Sequence, residues 1–205
     1  RKEKLKIMDI SNQLEKIKNI TKYFSIYKIK NLAMAFQAAK LCGLKEKFIF
    51  QSLNNIKDVN GRLELVKTFK NNIKVFIDYA HTPDALLQTL KSLKQDFGDN
   101  ISLVFGCGGE RDKKKRPLMA KIANINCKQI YITDDNPRNE NPQKIRSQLL
   151  KYISKNKAFN ISQRELAIKK AIQNAQPDGI ILVAGKGHEE KQIYKNKILN
   201  ISDKK

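Results

Sequence analysis

The sequence predicts an α/β protein built on a mostly parallel sheet flanked by helices, and three observations predict it. Four compact apolar runs, Val75-Phe76-Ile77, Leu103-Val104-Phe105, Ile130-Tyr131-Ile132 and Ile180-Ile181-Leu182-Val183-Ala184, do not alternate with polar residues. That is the texture of strands covered on both faces. Segments of helical periodicity lie between the runs, and alternating strand and helix gives parallel pairing with right-handed crossovers. Each run is followed at once by a polar or glycine-rich segment, and ligands of open α/β sheets bind where the strands end.

The elements follow in order. Residues 1–30 are Lys-rich, with Ile and Leu at irregular intervals. Leu32, Ala33, Ala35, Phe36, Ala38 and Ala39 make an apolar helical face that ends at Cys42-Gly43, a C-terminal cap. A second short helix is expected over 45–54, and Asn60-Gly61 marks a turn. Residues 1–70 hold too few apolar side chains for a core of their own and read as a mainly helical remnant of something larger. The sheet domain is placed at 71–205. Thr82-Pro83-Asp84 starts a helix with a capping hydroxyl, a proline and an acid, and Leu86, Leu87, Leu90, Leu93 and Phe97 form its stripe. A shorter helix follows Pro117. Asn141-Pro142 starts another, with Ile145, Leu149 and Ile153 on one face. Ser162-x-x-Glu165 reads as a capping box for the last, which carries Leu166, Ile168, Ala171, Ile172 and Ala175. The whole is a Rossmann-like arrangement.

Composition narrows the class. The chain has 205 residues, 40% hydrophobic and 30% charged, enough for one domain or a domain and a half and too apolar for disorder. No apolar run approaches the ~20 residues of a membrane span. Residues 1–9 are charged, without the apolar stretch of a signal peptide, and the chain does not begin with Met, so a processed or excised piece is expected. Lys+Arg number 41 against 20 Asp+Glu, a net charge of +21. A basic nucleic-acid-binding α/β module is one reading of that charge. The cations are nearly all Lys, however, scattered along the chain with Ile and Asn, and these three share A/T-rich codons. Base readers use Arg forks, which are scarce here, so neither nucleic acid nor membrane is the expected partner. The three cysteines, Cys42, Cys107 and Cys127, have no metal-binding spacing and fit a reducing cytoplasm.

The four strand-end segments are Asp78-Tyr79-Ala80-His81, Gly106 to Asp112, Thr133 to Arg138, and Gly185-Lys186-Gly187-His188-Glu189-Glu190. Singly, each has a plain structural reading. Asp78 and His81 can cap and orient the Thr82 helix, the glycines can serve turns, and His188 can be a hydrogen-bonded structural histidine. Arg111 breaks a dinucleotide G-x-G-x-x-G, and Gly185-Lys186-Gly187 lacks the spacing and hydroxyl of a P-loop. Together, on one sheet edge, they suit a small zwitterion. Arg111 and Arg138 can grip carboxylates bidentately and Glu189 can hold an ammonium group, as an amino acid with more than one carboxylate would require.

These segments resemble the C-terminal domain of the Mur ligases. The resemblance rests on the DYAHTPD stretch, VFGCGGERDKKKRPLM, DDNPR, SQRELAIKKAI and LVAGKGHEEKQ, with Gly61-Arg62-Leu63-Glu64 upstream. It covers about residues 60–205 well and 20–45 faintly, and it is nearest to members that add diaminopimelate. It implies an ATP- and Mg2+-dependent ligase of cytoplasmic peptidoglycan synthesis. In that reaction an acyl phosphate on UDP-MurNAc-L-Ala-D-Glu is attacked by the amine of meso-diaminopimelate. It implies that Arg111, Asp135, Asn136, Pro137, Arg138, Gly185 and Glu189 bind diaminopimelate. Asp78 and His81 would lie toward the nucleotide, and residues 1–70 would be the end of the central ATP-binding domain. The sequence departs from the family at Phe24-Ser25, at Lys191, and at Leu199 to Asp203, where the family has Phe-Asp-Asp. The family's P-loop and carbamoylated lysine are not in these 205 residues, so the chain alone is expected to bind the amino acid as a monomer and to be catalytically silent. A sibling ligase adding another amino acid is the alternative within the family.

Overall fold

A computed structural model of the chain describes residues 7–20, 26–53, 55, 56 and 59–204. They fall into two compact units, Arg1–Lys57 and Asp58–Lys205. Phe24-Ser25 lies outside the described residues.

The first unit holds α1 (Ser11–Ile20), α2 (Ile26–Leu41) and α3 (Glu46–Leu53). Asp9 Oδ1 accepts from Ser11 N at 2.8 Å and so caps α1. Gly43, at φ +88°, ends α2 as its position in the sequence predicts. The expectation that this segment lacks a core is corrected. Ile17, Ile29, Ala33, Phe36, Ile49 and Leu53 bury one another. The stripe of α2 is narrower than its alanines imply, since Ala35 and Ala38 are exposed. Ile17 comes from the Lys-rich stretch, where irregular spacing hides it.

The second unit is a six-stranded sheet in the order β1-β2-β6-β3-β4-β5. Its strands are β1 (Glu64–Thr68), β2 (Lys74–Asp78), β3 (Ile101–Phe105), β4 (Gln129–Ile132), β5 (Ala158–Asn160) and β6 (Ile180–Ala184). Only β1 runs antiparallel. Helices α4 (Pro83–Phe97), α5 (Lys115–Asn126) and α6 (Pro142–Leu150) cover one face, burying Leu86, Leu90, Leu93, Met119, Ala123, Ile145 and Leu149 against Phe76, Leu103, Phe105, Ile132 and Leu182. Helix α7 (Arg164–Asn174) covers the other, with Ala167 and Ala171 against Val75, Ile77, Val104, Tyr131 and Val183. Successive strand residues thus feed two cores, which is why the runs do not alternate. Among the described residues, no helix is long and apolar enough to cross a membrane.

Three expectations shift. Strand β1 belongs to this sheet, so the sheet domain begins before residue 71. Helix α5 starts at Lys115, two residues ahead of Pro117, a position within the first turn where a proline costs no hydrogen bond. Helix α7 starts at Arg164, with Gln163 before it and no side-chain cap. The Ser162 carbonyl is taken instead by Asp134 N and Thr133 Oγ1, at 3.2 and 3.1 Å, which binds that turn to the end of β4. Its buried face is Arg164, Ala167 and Ala171, whereas Leu166 is exposed. The caps of α4 and α6 are as predicted: Thr82 Oγ1 accepts from Ala85 N, and Asn141 Oδ1 from Gln143 N and Lys144 N. A hairpin of β7 (Lys191–Tyr194) and β8 (Lys197–Asn200) completes the unit.

Candidate functional site

Strands β2, β6, β3 and β4 are neighbours and parallel, so all four polar segments emerge at one edge. The loops after β3 and β4 touch backbone to backbone. Gly109 N donates to Asn136 O at 2.9 Å, and a Cβ on Gly109 would lie 1.9 Å from Pro137 O. Gly185, at φ +109°, brings the loop after β6 against Asp135, whose Oδ2 lies 2.9 Å from where a Cβ would stand. A side chain at Gly109 would force the loops apart, whereas one at Gly185 would be strained by its positive φ and would crowd the Asp135 carboxylate.

Asn136 is the centre of the arrangement, and it is buried. Its Nδ2 donates to Glu189 Oε2 at 3.0 Å. Its Oδ1 accepts from Ile193 N at 2.9 Å and from Lys186 Nζ at 3.4 Å. Lys186 is wholly buried and also reaches Glu189 Oε2 at 3.2 Å and Lys191 O at 2.6 Å. Asn136 O accepts from Arg138 Nη1 at 3.2 Å, and the same Nη1 donates to Gly109 O at 2.9 Å. Arg111 lies near Arg138 at Gly108. Its Cγ and Arg138 Nη1 lie 3.7 and 3.0 Å from the point where a Cβ on Gly108 would be. Arg111, Asp135, Asn136, Pro137, Arg138, Gly185 and Glu189 therefore share one place. A cleft of about 430 Å³ opens beside Arg138, between residues 138–142 and 194–197.

The side chains of Asp78 and His81 make their hydrogen bonds outside that group, although Asp78 O accepts from Gly185 N at 3.0 Å. Asp78 is buried, its Oδ2 accepting from Leu63 N at 2.6 Å and its Oδ1 from Ala80 N at 2.7 Å and Thr89 Oγ1 at 3.3 Å. Burial pushes its carboxyl above the ordinary aspartate range, and those hydrogen bonds hold the rise in check. It fastens β1 and α4 to β2. His81 is exposed, with Nδ1 2.9 Å from Tyr79 O. The Tyr79 ring meets His81 edge-on, stacks near His188, and has the Arg62 guanidinium 4.5 Å above it.

Several contributors escape a reading of the sequence. Lys186 sits in a glycine-rich stretch whose pattern gives no sign that the lysine is buried. Arg164 pairs with Asp203 across 39 positions in the buried interior, and donates to Ala184 O at 3.0 Å, next to Gly185. Arg146 pairs with Asp134, which also accepts from Tyr194 OH at 3.0 Å. Burial and then the Asp134 charge push the Tyr194 phenol up. Asp203 falls inside the segment that departs from Phe-Asp-Asp, and the departing Lys191 serves through its backbone carbonyl. No group of three His, Cys, Asp or Glu suited to a metal ion occurs among the described residues.

Residues 61–187 match the family described as Mur ligase, glutamate ligase domain. The chain is 47% identical over 157 residues to the UDP-N-acetylmuramoyl-L-alanyl-D-glutamate–2,6-diaminopimelate ligase of Rickettsia montanensis, covering 76% of this chain and 32% of that protein. It is 46% identical over 151 residues to the protein of the same name from Buchnera aphidicola subsp. Schizaphis graminum, covering 73% and 30%. The chain thus spans about a third of the length of these relatives. A solved structure of a ligase of that name matches with a TM-score of 0.66 at 34% identity, over 87% of this chain and 37% of the other. The match runs through the loops after β2, β3 and β4 and into the one after β6, and on these grounds the chain belongs to the Mur ligase family.

Proposed function

We propose that this chain carries the amino-acid-binding part of an ATP-dependent ligase that adds meso-2,6-diaminopimelate to UDP-MurNAc-L-Ala-D-Glu in cytoplasmic peptidoglycan synthesis. The observation that carries the reading is how charge is sorted at the sheet edge. Lys186, Arg116, Arg146 and Arg164 are each paired with an internal carboxylate. Arg111 makes no side-chain hydrogen bond or ion pair with the described residues, and Arg138 uses Nη1 alone, on backbone carbonyls. Two guanidinium groups are thus left for carboxylates, and Glu189 Oε1 for an ammonium. A second carboxylate is what separates diaminopimelate from lysine, and Arg138 is its partner.

In this reading Asp135, Asn136, Pro137 and Gly185 give the pocket its shape, while Arg111, Arg138 and Glu189 orient the amino acid so that one amine faces the acyl group. His81, with Tyr79 and Arg62, lies on the nucleotide side, and Asp78 holds that loop in place. ATP would supply the phosphoryl group. Among the described residues no group of three His, Cys, Asp or Glu suits Mg2+, and Lys186, buried and already bonded to Glu189 and Lys191 O, is not free to hold a phosphate. We therefore assign that chemistry to the part of the relatives this chain does not span, with the first unit as the tail of an ATP-binding domain. Calorimetric titration of the chain, as a monomer, with meso-diaminopimelate and with lysine tests the reading. Preference for diaminopimelate is expected, and equal affinity would favour a sibling specificity. ATP-dependent ligation by these 205 residues alone would overturn the assignment of catalysis elsewhere.

A further inference from the structure

Arg138 is held from behind. Gly109 O, 2.9 Å from Arg138 Nη1, holds the guanidinium together with Asn136 O at 3.2 Å, and leaves its other edge unused. The residues on both sides of Gly109 are gripped in turn. Arg116 Nη2 donates to Gly108 O at 3.0 Å, and Glu140 Oε1 accepts from Glu110 N at 2.7 Å. Arg116 and Glu140 are themselves joined by two prongs, Nη1 to Oε2 at 3.0 Å and Nη2 to Oε1 at 3.2 Å. Arg116 is wholly buried on α5 and is also tied to Gln148 Oε1 on α6 at 2.8 Å. Neither residue has a place in the binding set above. A buried ion pair is a poor source of stability compared with apolar packing, but a planar fork fixes direction well.

We propose that Arg116 and Glu140 are positioning residues. They hold Gly109, and through it aim Arg138, so that the site tells an amino acid with a distal carboxylate from one with a distal amine. This rests on the reading that the site takes a doubly acidic amino acid. A pair that only supported the fold would, when weakened, lower the melting temperature or loosen every ligand alike. A pair that aims one guanidinium changes the ratio between two ligands.

The test uses the 205-residue chain with Arg116→Lys, which keeps the charge and loses the fork, and with Glu140→Gln, which keeps the shape and loses the charge. Each is melted, then titrated with meso-diaminopimelate and with lysine. The expected result is a fall of roughly tenfold or more in the preference for diaminopimelate, as a small misplacement of a clamp produces, with lysine affinity unmoved. An unchanged ratio in a variant that still melts cooperatively overturns the proposal. Absence of any preference in the unsubstituted chain overturns the reading of the site instead. Should Arg116→Lys fail to fold, Glu140→Gln decides the matter, its side chain being isosteric and 21% exposed.

Discussion

Arg164 and Asp203 meet as a fork in the buried interior: Nε to Oδ1 at 2.6 Å, Nη2 to Oδ2 at 2.8 Å, with neither side chain exposed to solvent. The same Nη2 donates to Ala184 O. The end of the chain is thereby fastened beneath the residue that leads into Gly185, and the loop carrying Lys186 and Glu189 inherits its position from a contact made 39 residues apart.

Asp203→Ala should therefore cost about 3–5 kcal/mol, because it leaves the Arg164 charge buried and unpaired. Urea unfolding reads this directly. The double replacement Arg164→Met with Asp203→Leu should cost less than Asp203→Ala alone, since no lone charge remains. A near-neutral Asp203→Ala would show that water reaches Arg164.

That pair also shows what the sequence reveals and what it withholds. Arg138 and Glu189 are legible because each follows a strong apolar run within a few residues, and parallel strands deliver run ends to one edge. Periodicity carries local information only. Asp203 and Arg164 have no periodic relation, and Glu140 and Arg116 lie on different elements. Lys186 is buried partly by the β7–β8 hairpin, whose four-residue strands bury little beyond Gln192 and give no signal above the surrounding polar texture. Edge strand β1 is missed for the same reason: it is exposed along one side.

Asp78 gives a pH dependence with a definite sign. Burial raises its carboxyl from the ordinary 3.8, and bonds from Leu63, Ala80 and Thr89 only partly offset this. A raised folded-state value means that the native protein holds the proton more tightly than the unfolded chain. The contribution of this group is fully present below pH 3.8 and is lost as pH rises through the raised value. Asp78→Asn lacks that titration. The stability of the parent minus that of Asp78→Asn should thus shrink as pH rises above 3.8, read from urea midpoints. A difference that grows with pH would mean that the hydrogen bonds outweigh burial.

Gly109→Ala should part the two loops that make the site. Its Cβ would stand 1.9 Å from Pro137 O, a backbone atom that cannot swing away. Overpacking of this kind costs typically 1–3 kcal/mol. Melting should register that loss, and calorimetry should register a larger fractional loss of diaminopimelate binding, because Gly109 O is also the acceptor that holds Arg138.

The thiols should separate cleanly. Burial pushes Cys107 and Cys127 up to about 12, while Cys42 is exposed. Only the thiolate reacts. An aromatic disulfide reagent at neutral pH should titrate one thiol quickly in the native chain and all three in denaturant. Fast reaction of Cys107 would mean that the loop between Gly106 and Gly109 opens in solution.

The last prediction asks whether the geometry of Arg138 matters or only its charge. Arg138 stands at φ +51°, a strain that Arg and Lys share, so Arg138→Lys should leave the melting temperature unmoved. Its single ammonium can serve the carbonyls of Gly109 and Asn136, where Nη1 now sits, or turn to a ligand carboxylate, but it cannot do both in the present plane. Loss of one charge-assisted hydrogen bond is worth about 1.5–3 kcal/mol. Arg138→Ala, which leaves the distal carboxylate facing no cation, should cost about 2–5 kcal/mol. Diaminopimelate affinity should fall in the order Arg, Lys, Ala, while lysine affinity stays level across all three. Equal diaminopimelate affinity in the Arg and Lys forms would show that a point charge suffices, and equal affinity in all three would move the distal carboxylate away from Arg138.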